Sequence, residues 1–295
     1  MTTRPPDPPP RGSDRDGDRT ATAPLGDDRR LAYAEYGRPD GTPVVFLHGT
    51  PGSRLLGGLL DEPADERGVR VLAPDRPGFG RSTPWPTRSV RDAGTVVEAV
   101  LDDAGVETAG IVAFSGGGPR ALAAAATRPD RVDRVDVVAG ATPPDGDAET
   151  PAMQRLLAGL ATRTPAVLRG LFRGQAWLAA RRDPSFVVSQ YAADAESVPD
   201  RVAEVVRADF LEAFARHRSG AVTEFRNAAA DWGFDVEDVE AEVRLWHGED
   251  DANVPVEGAR DLEARVPTAD LRTIEGADHL GTLVRSVPEV LEGQR

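Results

Sequence analysis

A hydroxyl attacks a carbonyl at neutral pH only when a base takes its proton and a third group orients that base. Ser115 has the surroundings for such work. Before it runs the short apolar stretch Gly110-Ile111-Val112-Ala113-Phe114; after Gly116-Gly117-Gly118-Pro119 comes the helix-forming Arg120-Ala121-Leu122-Ala123-Ala124-Ala125-Ala126. The spacing predicts a buried strand that turns into a helix at the serine. A sharp bend there strains the serine backbone and lifts its hydroxyl out at the top of a sheet. It also demands small residues two before and two after, which Ala113 and Gly117 supply. The helix N-terminus behind Ser115 offers free N–H groups to developing negative charge. A flexible loop or a plain helix cap would read the same in isolation, so the rest of the chain decides.

Four histidines could serve as base: His48, His217, His247 and His279. His48 and His247 each precede a glycine at a strand end, a turn position. His217 lies between Arg216 and Arg218 on what reads as a solvated face. His279 follows the last expected strand, in the loop Gly276-Ala277-Asp278-His279, where open α/β sheets place their sites. The acid is expected at another strand end. The segment from His247 to Pro255 supplies it, giving the chain order Ser115, Asp251, His279.

The elements that must carry these groups alternate. Strands are expected at 30–37, 44–47, 69–73, 110–114, 135–139, 243–246 and 271–274. Helices are expected at 53–66 (with an irregular start at Gly57-Gly58), 89–104, 120–126, 256–265 and 280–291. Continuous apolar runs such as Val44-Val45-Phe46-Leu47 mark strands buried on both faces. Alternation of this kind implies an α/β fold with a mostly parallel, doubly wound sheet. It breaks near Gly140 and resumes near Val243. The expected organisation is a disordered tail at 1–28, a core at 29–142 and 240–295, and an inserted helical cap at 143–239 that acts as a lid. Phe172 and Trp177 are among its apolar residues, expected to line a pocket or to pack the cap's interior.

Composition narrows the partners. Lys+Arg 35 against Asp+Glu 49 gives a formal net charge of −14, which argues against nucleic acid and against an anionic membrane surface. There is no cysteine, hence no disulfide frame, thiolate metal site or cysteine nucleophile. No apolar run is long enough to span a bilayer and the polar N-terminus lacks a signal-peptide core, so a cytoplasmic protein is expected. Every base is arginine, a pattern that fits both salt adaptation and a GC-rich genome. No cofactor or metal is expected; the partner is a small-molecule ester or amide.

Taken together, four motifs resemble the α/β-hydrolase superfamily from about residue 30 to 293. They are His48-Gly49 after a buried strand, Asp75-Arg76-Pro77-Gly78-Phe79-Gly80-Arg81-Ser82, the Ser115 turn, and the paired acid and histidine loops. Within it the chain resembles cap-bearing serine hydrolases of the carboxylesterase and proline-iminopeptidase-like type. The resemblance implies Ser115 as nucleophile, His279 as base, Asp251 as orienting acid, and an oxyanion hole from the N–H groups of Thr50 and Gly116. His48 is expected to hold the loop that presents Thr50, with Gly49 and Gly117 as structural glycines. Asp75 and Arg76 are expected to tie that loop together. Family spacing selects Asp251 over its neighbour Asp250, with Asp145 in reserve. Members that open epoxides or remove halide carry aspartate at the elbow, where this chain has serine. Ester cleavage is the leading expectation. An aminopeptidase, amidase, lactonase or cofactor-free perhydrolase would use the same triad, and a catalytically silent ligand receptor is the reading from another class.

Overall fold

The computed structural model describes residues 19–26, 28–144 and 151–294. Its strands are β1 (Thr20–Pro24), β2 (Arg30–Gly37), β3 (Thr42–Leu47), β4 (Val69–Pro74), β5 (Ala109–Phe114), β6 (Val132–Val138), β7 (Glu242–Gly248) and β8 (Ala269–Ile274). Among the described residues they form one sheet in the order β1-β2-β4-β3-β5-β6-β7-β8. From β4 to β8 every pairing is parallel, while β1 and β2 add antiparallel edge pairings.

Strand periodicity divides the core. Val44, Phe46, Val112 and Phe114 face one side, and Val45, Leu47, Ile111 and Ala113 face the other. Helices cover both sides. These are α1 (Asp61–Arg67), α2 (Ala93–Ala104) and α3 (Gly118–Thr127), then an inserted set of α4 (Ala152–Arg163), α5 (Pro165–Ala179), α6 (Ser185–Val188), α7 (Asp200–Ala213) and α8 (Ser219–Ala228), then α9 (Val256–Arg265) and α10 (His279–Gly293). Ala64 of α1 packs on the first side and Leu122 of α3 on the second. So the chain leaves the adjacent strands β3 and β5 toward opposite faces. A crevice opens at the carboxyl ends of such strands. Between them lies the space that Thr50 and Ser115 reach.

The segment expected as a tail to residue 28 needs a correction. Thr20–Pro24 pairs with β2, with Thr20 opposite Ala34 and Pro24 opposite Arg30. An edge strand is held by backbone hydrogen bonds and needs few apolar side chains; here Ala23 and Leu25 are buried. Residues 1–18 lie outside the described residues. The irregular start expected near Gly57-Gly58 is a 3₁₀ turn, Arg54–Leu59, ahead of α1. The inserted helices end at Ala228, and Trp232, Val236 and Val239 beyond them pack on the α2/α3 side of the sheet.

Asp209 of α7 joins the inserted helices to the loop after β3. Its Oδ1 accepts hydrogen bonds from the Ser53 N–H at 2.6 Å and the Ser53 hydroxyl at 2.8 Å. Burial pushes its carboxyl up to about 7, against the opposing pull of the Ser53 hydrogen bonds. A raised acid binds more protons when folded than when unfolded. Its contribution is therefore complete below the unfolded value of about 4 and is lost as pH rises through about 7. Melting midpoints of the wild type and Asp209→Asn should diverge accordingly, the wild type losing ground to the variant between pH 4 and 8. Parallel curves would remove Asp209 as the titrating group.

Candidate active site

Ser115 sits directly after β5, with φ 52°, in the left-handed region that a side chain enters at a cost. The turn that holds it needs its glycines. A Cβ on Gly117 would lie 2.3 Å from the Leu47 carbonyl oxygen, and one on Gly116 would lie 2.3 Å from Thr50 Oγ1 and 3.3 Å from Thr50 N. The close approach at Gly116 brings the loop after β3 against the serine turn, with Thr50 N beside Gly116.

That loop is oriented from behind. His48 Nδ1 lies 2.7 Å from the Gly49 carbonyl oxygen, so Nδ1 carries the proton, and Nε2 accepts the Arg76 backbone N–H at 3.3 Å. Burial, with Arg76 beside it, keeps His48 well below its ordinary value and so neutral. The Arg76 guanidinium donates to the Gly49 carbonyl at 3.0 Å and to the His48 carbonyl. With the Gly49 carbonyl fixed inward, the Thr50 N–H of the same planar peptide points the other way. Asp75, by contrast, is taken up by Arg54: the Arg54 N–H and guanidinium donate to it at 2.7 and 2.8 Å.

His279 opens α10, where Asp278 caps the helix by accepting the Gly281 N–H at 2.7 Å. His279 Nδ1 lies 2.7 Å from Asp251 Oδ2. The other oxygen, Oδ1, accepts the N–H groups of Asn253 and Val254, each at 2.9 Å. Burial works to raise the Asp251 carboxyl, but the hydrogen bond and charge of His279, helped by the Val254 N–H and His247, hold it below its usual value. Asp250, next door, is exposed. His247 is buried and bonds through Nε2 to the Val254 carbonyl at 2.8 Å, steadying the acid loop. Asp145 lies outside the described residues.

Ser115, Gly116, Thr50 and His279 line one cavity of about 540 Å³ between the sheet and the inserted helices. Phe172 of α5 lines it too, and stacks on Phe214 with centroids 5.0 Å apart. Trp177 does not line it; it is 58% exposed, with Arg181 4.2 Å over its ring. Three residues that sequence reading passed over also lie at this cavity. Tyr191 stacks on His279 at 6.3 Å, its hydroxyl pushed by burial above the usual range. Glu224 of α8 accepts the Thr50 hydroxyl at 2.5 Å and the Arg76 guanidinium at 2.7 and 2.8 Å. Arg120 of α3 donates to the Gly116 carbonyl at 3.0 Å. No local pattern marks Tyr191 and Glu224, because their partners are distant in the chain.

The chain belongs to the α/β hydrolase fold family, whose model matches residues 42–285. It is 28% identical over 247 residues, 80% of each chain, to a 2-hydroxy-6-oxononadienedioate/2-hydroxy-6-oxononatrienedioate hydrolase of Cupriavidus pinatubonensis. Solved structures of similar fold include a thermophilic esterase from Thermogutta terrifontis, with TM-score 0.69 and 20% identity, covering 94% of this chain and 97% of that one. An enol-lactonase from Burkholderia xenovorans superposes with TM-score 0.71 at 17% identity, covering 92% and 98%. Among the described residues no helix is long and apolar enough to cross a membrane.

Proposed function

We propose that the chain is a serine hydrolase that cleaves a small carboxylic ester through an acyl-enzyme on Ser115. The observation that carries this is the strained Ser115 at a strand-to-helix turn, sharing a cavity with a histidine bonded to a buried aspartate. The serine oxygen attacks the ester carbonyl while its proton passes to His279 Nε2. Asp251 accepts the Nδ1–H and stabilises the imidazolium. The Thr50 and Gly116 N–H groups receive the oxyanion. Collapse of the intermediate expels the alcohol, which takes the proton from His279. Water, deprotonated by the same histidine, then attacks the acyl-enzyme and frees the acid and the serine.

Among the described residues lining the cavity the one carboxylate is Glu224, and it already faces Arg76 and Arg88. It has no free face for a substrate ammonium, which weighs against the aminopeptidase reading. Amide, lactone and perhydrolase chemistry would use the same groups. A fluorophosphonate probe tests the mechanism: one equivalent should attach, at Ser115. A folded protein that stays unlabelled would favour the receptor reading. Panels of esters, lactones and prolyl amides then rank the chemistries.

The inserted helices act as a lid in this reading, since they supply the wall facing Ser115. Phe172→Ala should change preference for acyl size and also cost about 3 kcal/mol of stability, because the ring is both wall and packing. Trp177→Ala should leave stability within about 0.5 kcal/mol. Denaturant melts and rates on esters of increasing chain length check both. A Phe172→Ala protein of unchanged preference would remove the ring from the substrate's path.

A further inference from the structure

Beside the oxyanion loop lies a buried charge imbalance. Arg76, Arg88 and Arg120 converge on Glu224, and each of the four is less than a tenth exposed. Three guanidinium groups against one carboxylate leave two positive charges without a partner charge, in a place where unpaired charge is costly. Arg76 and Arg88 reach Glu224 at 2.7 and 3.0 Å, but Arg120 stays 4.0 Å away. Arg120 Nη2 has no hydrogen-bond partner among the described residues. Burial pulls the Arg120 guanidinium down to about 10, opposed by Glu224 and reinforced by Arg76 and Arg88. No other acid is paired with these arginines among the described residues. An anion from outside the chain could reach these arginines through the cavity, which Arg120 lines alongside Ser115 and Gly116.

We propose that the substrate carries a carboxylate a few bonds from its scissile carbonyl, and that Arg120 recognises it. This rests on the hydrolase reading and names its substrate class. The planar guanidinium fork suits a carboxylate, and Arg120 lies four residues beyond Gly116, close enough to donate to its carbonyl, so only a short spacer fits between the two groups of the substrate. The same positive field excludes substrates with an ammonium group near the ester.

Ethyl hydrogen succinate and ethyl butanoate share an acyl length and differ in the distal carboxylate. Their hydrolysis is followed by pH-stat titration with the wild type, Arg120→Gln and Arg120→Lys. The wild type should prefer the acidic ester. In Arg120→Gln the ratio of kcat/KM for acidic over neutral ester should fall by about tenfold or more, through KM of the acidic ester. Arg120→Lys should recover part of that ratio. An equal fall for both esters would overturn the proposal and leave Arg120 serving the serine turn alone, and so would a wild-type preference for the neutral ester. A second measurement does not need turnover. Succinate should raise the wild-type melting midpoint, succinamide should not, and Arg120→Gln should abolish the difference. Equal effects of the two compounds on the wild type would overturn anion recognition. If neither ester is cleaved and Ser115 stays unlabelled by the fluorophosphonate while the succinate effect holds, the hydrolase reading falls and the anion site stands.

Discussion

Ser115→Ala is expected to fold as the wild type does and to lose turnover on an activated ester by a factor on the order of 10⁶. The fold should survive because alanine keeps the same Cβ in the same left-handed backbone and removes only the hydroxyl. Neighbours that need the turn are held by its backbone: the Ala141 N–H donates to the Ser115 carbonyl at 3.1 Å, and Arg120 donates to Gly116. The loss should be large because the proposed acyl intermediate forms on the Ser115 hydroxyl. Thr50, the other hydroxyl at the oxyanion loop, is turned toward Glu224. Oxyanion donors and binding would still be present, so a residual rate above that in water is expected. Turnover should fall to that residual level and fluorophosphonate labelling should vanish. A variant that keeps more than a few per cent of activity, with wild-type contamination excluded, would end the mechanism.

The parts of the molecule legible in its sequence are those set by local rules. Val44-Val45-Phe46-Leu47 and Gly110-Ile111-Val112-Ala113-Phe114 read as buried strands because helices cover both faces of the sheet, leaving no polar alternation to obscure them. The serine turn was legible because a Cβ at Gly117 would collide with the Leu47 carbonyl oxygen, which restricts the residue type itself. Thr20–Pro24 was not legible. An edge strand needs only main-chain partners, and those lie on β2, ten or so residues away. The group of Arg76, Arg88, Arg120 and Glu224 was equally hidden, since no spacing along the chain records that 76 and 224 meet. Within α5, Phe172 and Trp177 are both aromatic and five residues apart. The helix turns them to different faces, one walling the cavity and one in solvent. Helical character is a property of the segment; which face finds a partner depends on where α7 and α8 come to rest.

Asp251→Asn is expected to cost about 10⁴ in turnover, while Asp250→Asn costs little. The difference follows from where the hydrogens of an amide must go. Oδ1 of Asp251 accepts two backbone N–H groups, from Asn253 and Val254. In the asparagine variant the amide oxygen has to stay on those donors, so the NH₂ takes the place of Oδ2 and faces His279 Nδ1. Two donors cannot share that 2.7 Å contact, so Nδ1 must give up its proton and become the acceptor. The proton then sits on Nε2, the nitrogen that has to receive the serine's. The variant should fold and keep its cavity while the base is blocked. Asp250 is exposed, and its backbone N–H, which any side chain retains, donates to the Ala277 carbonyl at 3.1 Å. Its substitution should therefore behave as a surface change, within about 0.5 kcal/mol in stability. Both variants are compared on one activated ester at saturating concentration, so that turnover rather than binding is read. Two full-activity variants would mean that His279 takes its orientation from another acid, and Asp145 is then the one to replace.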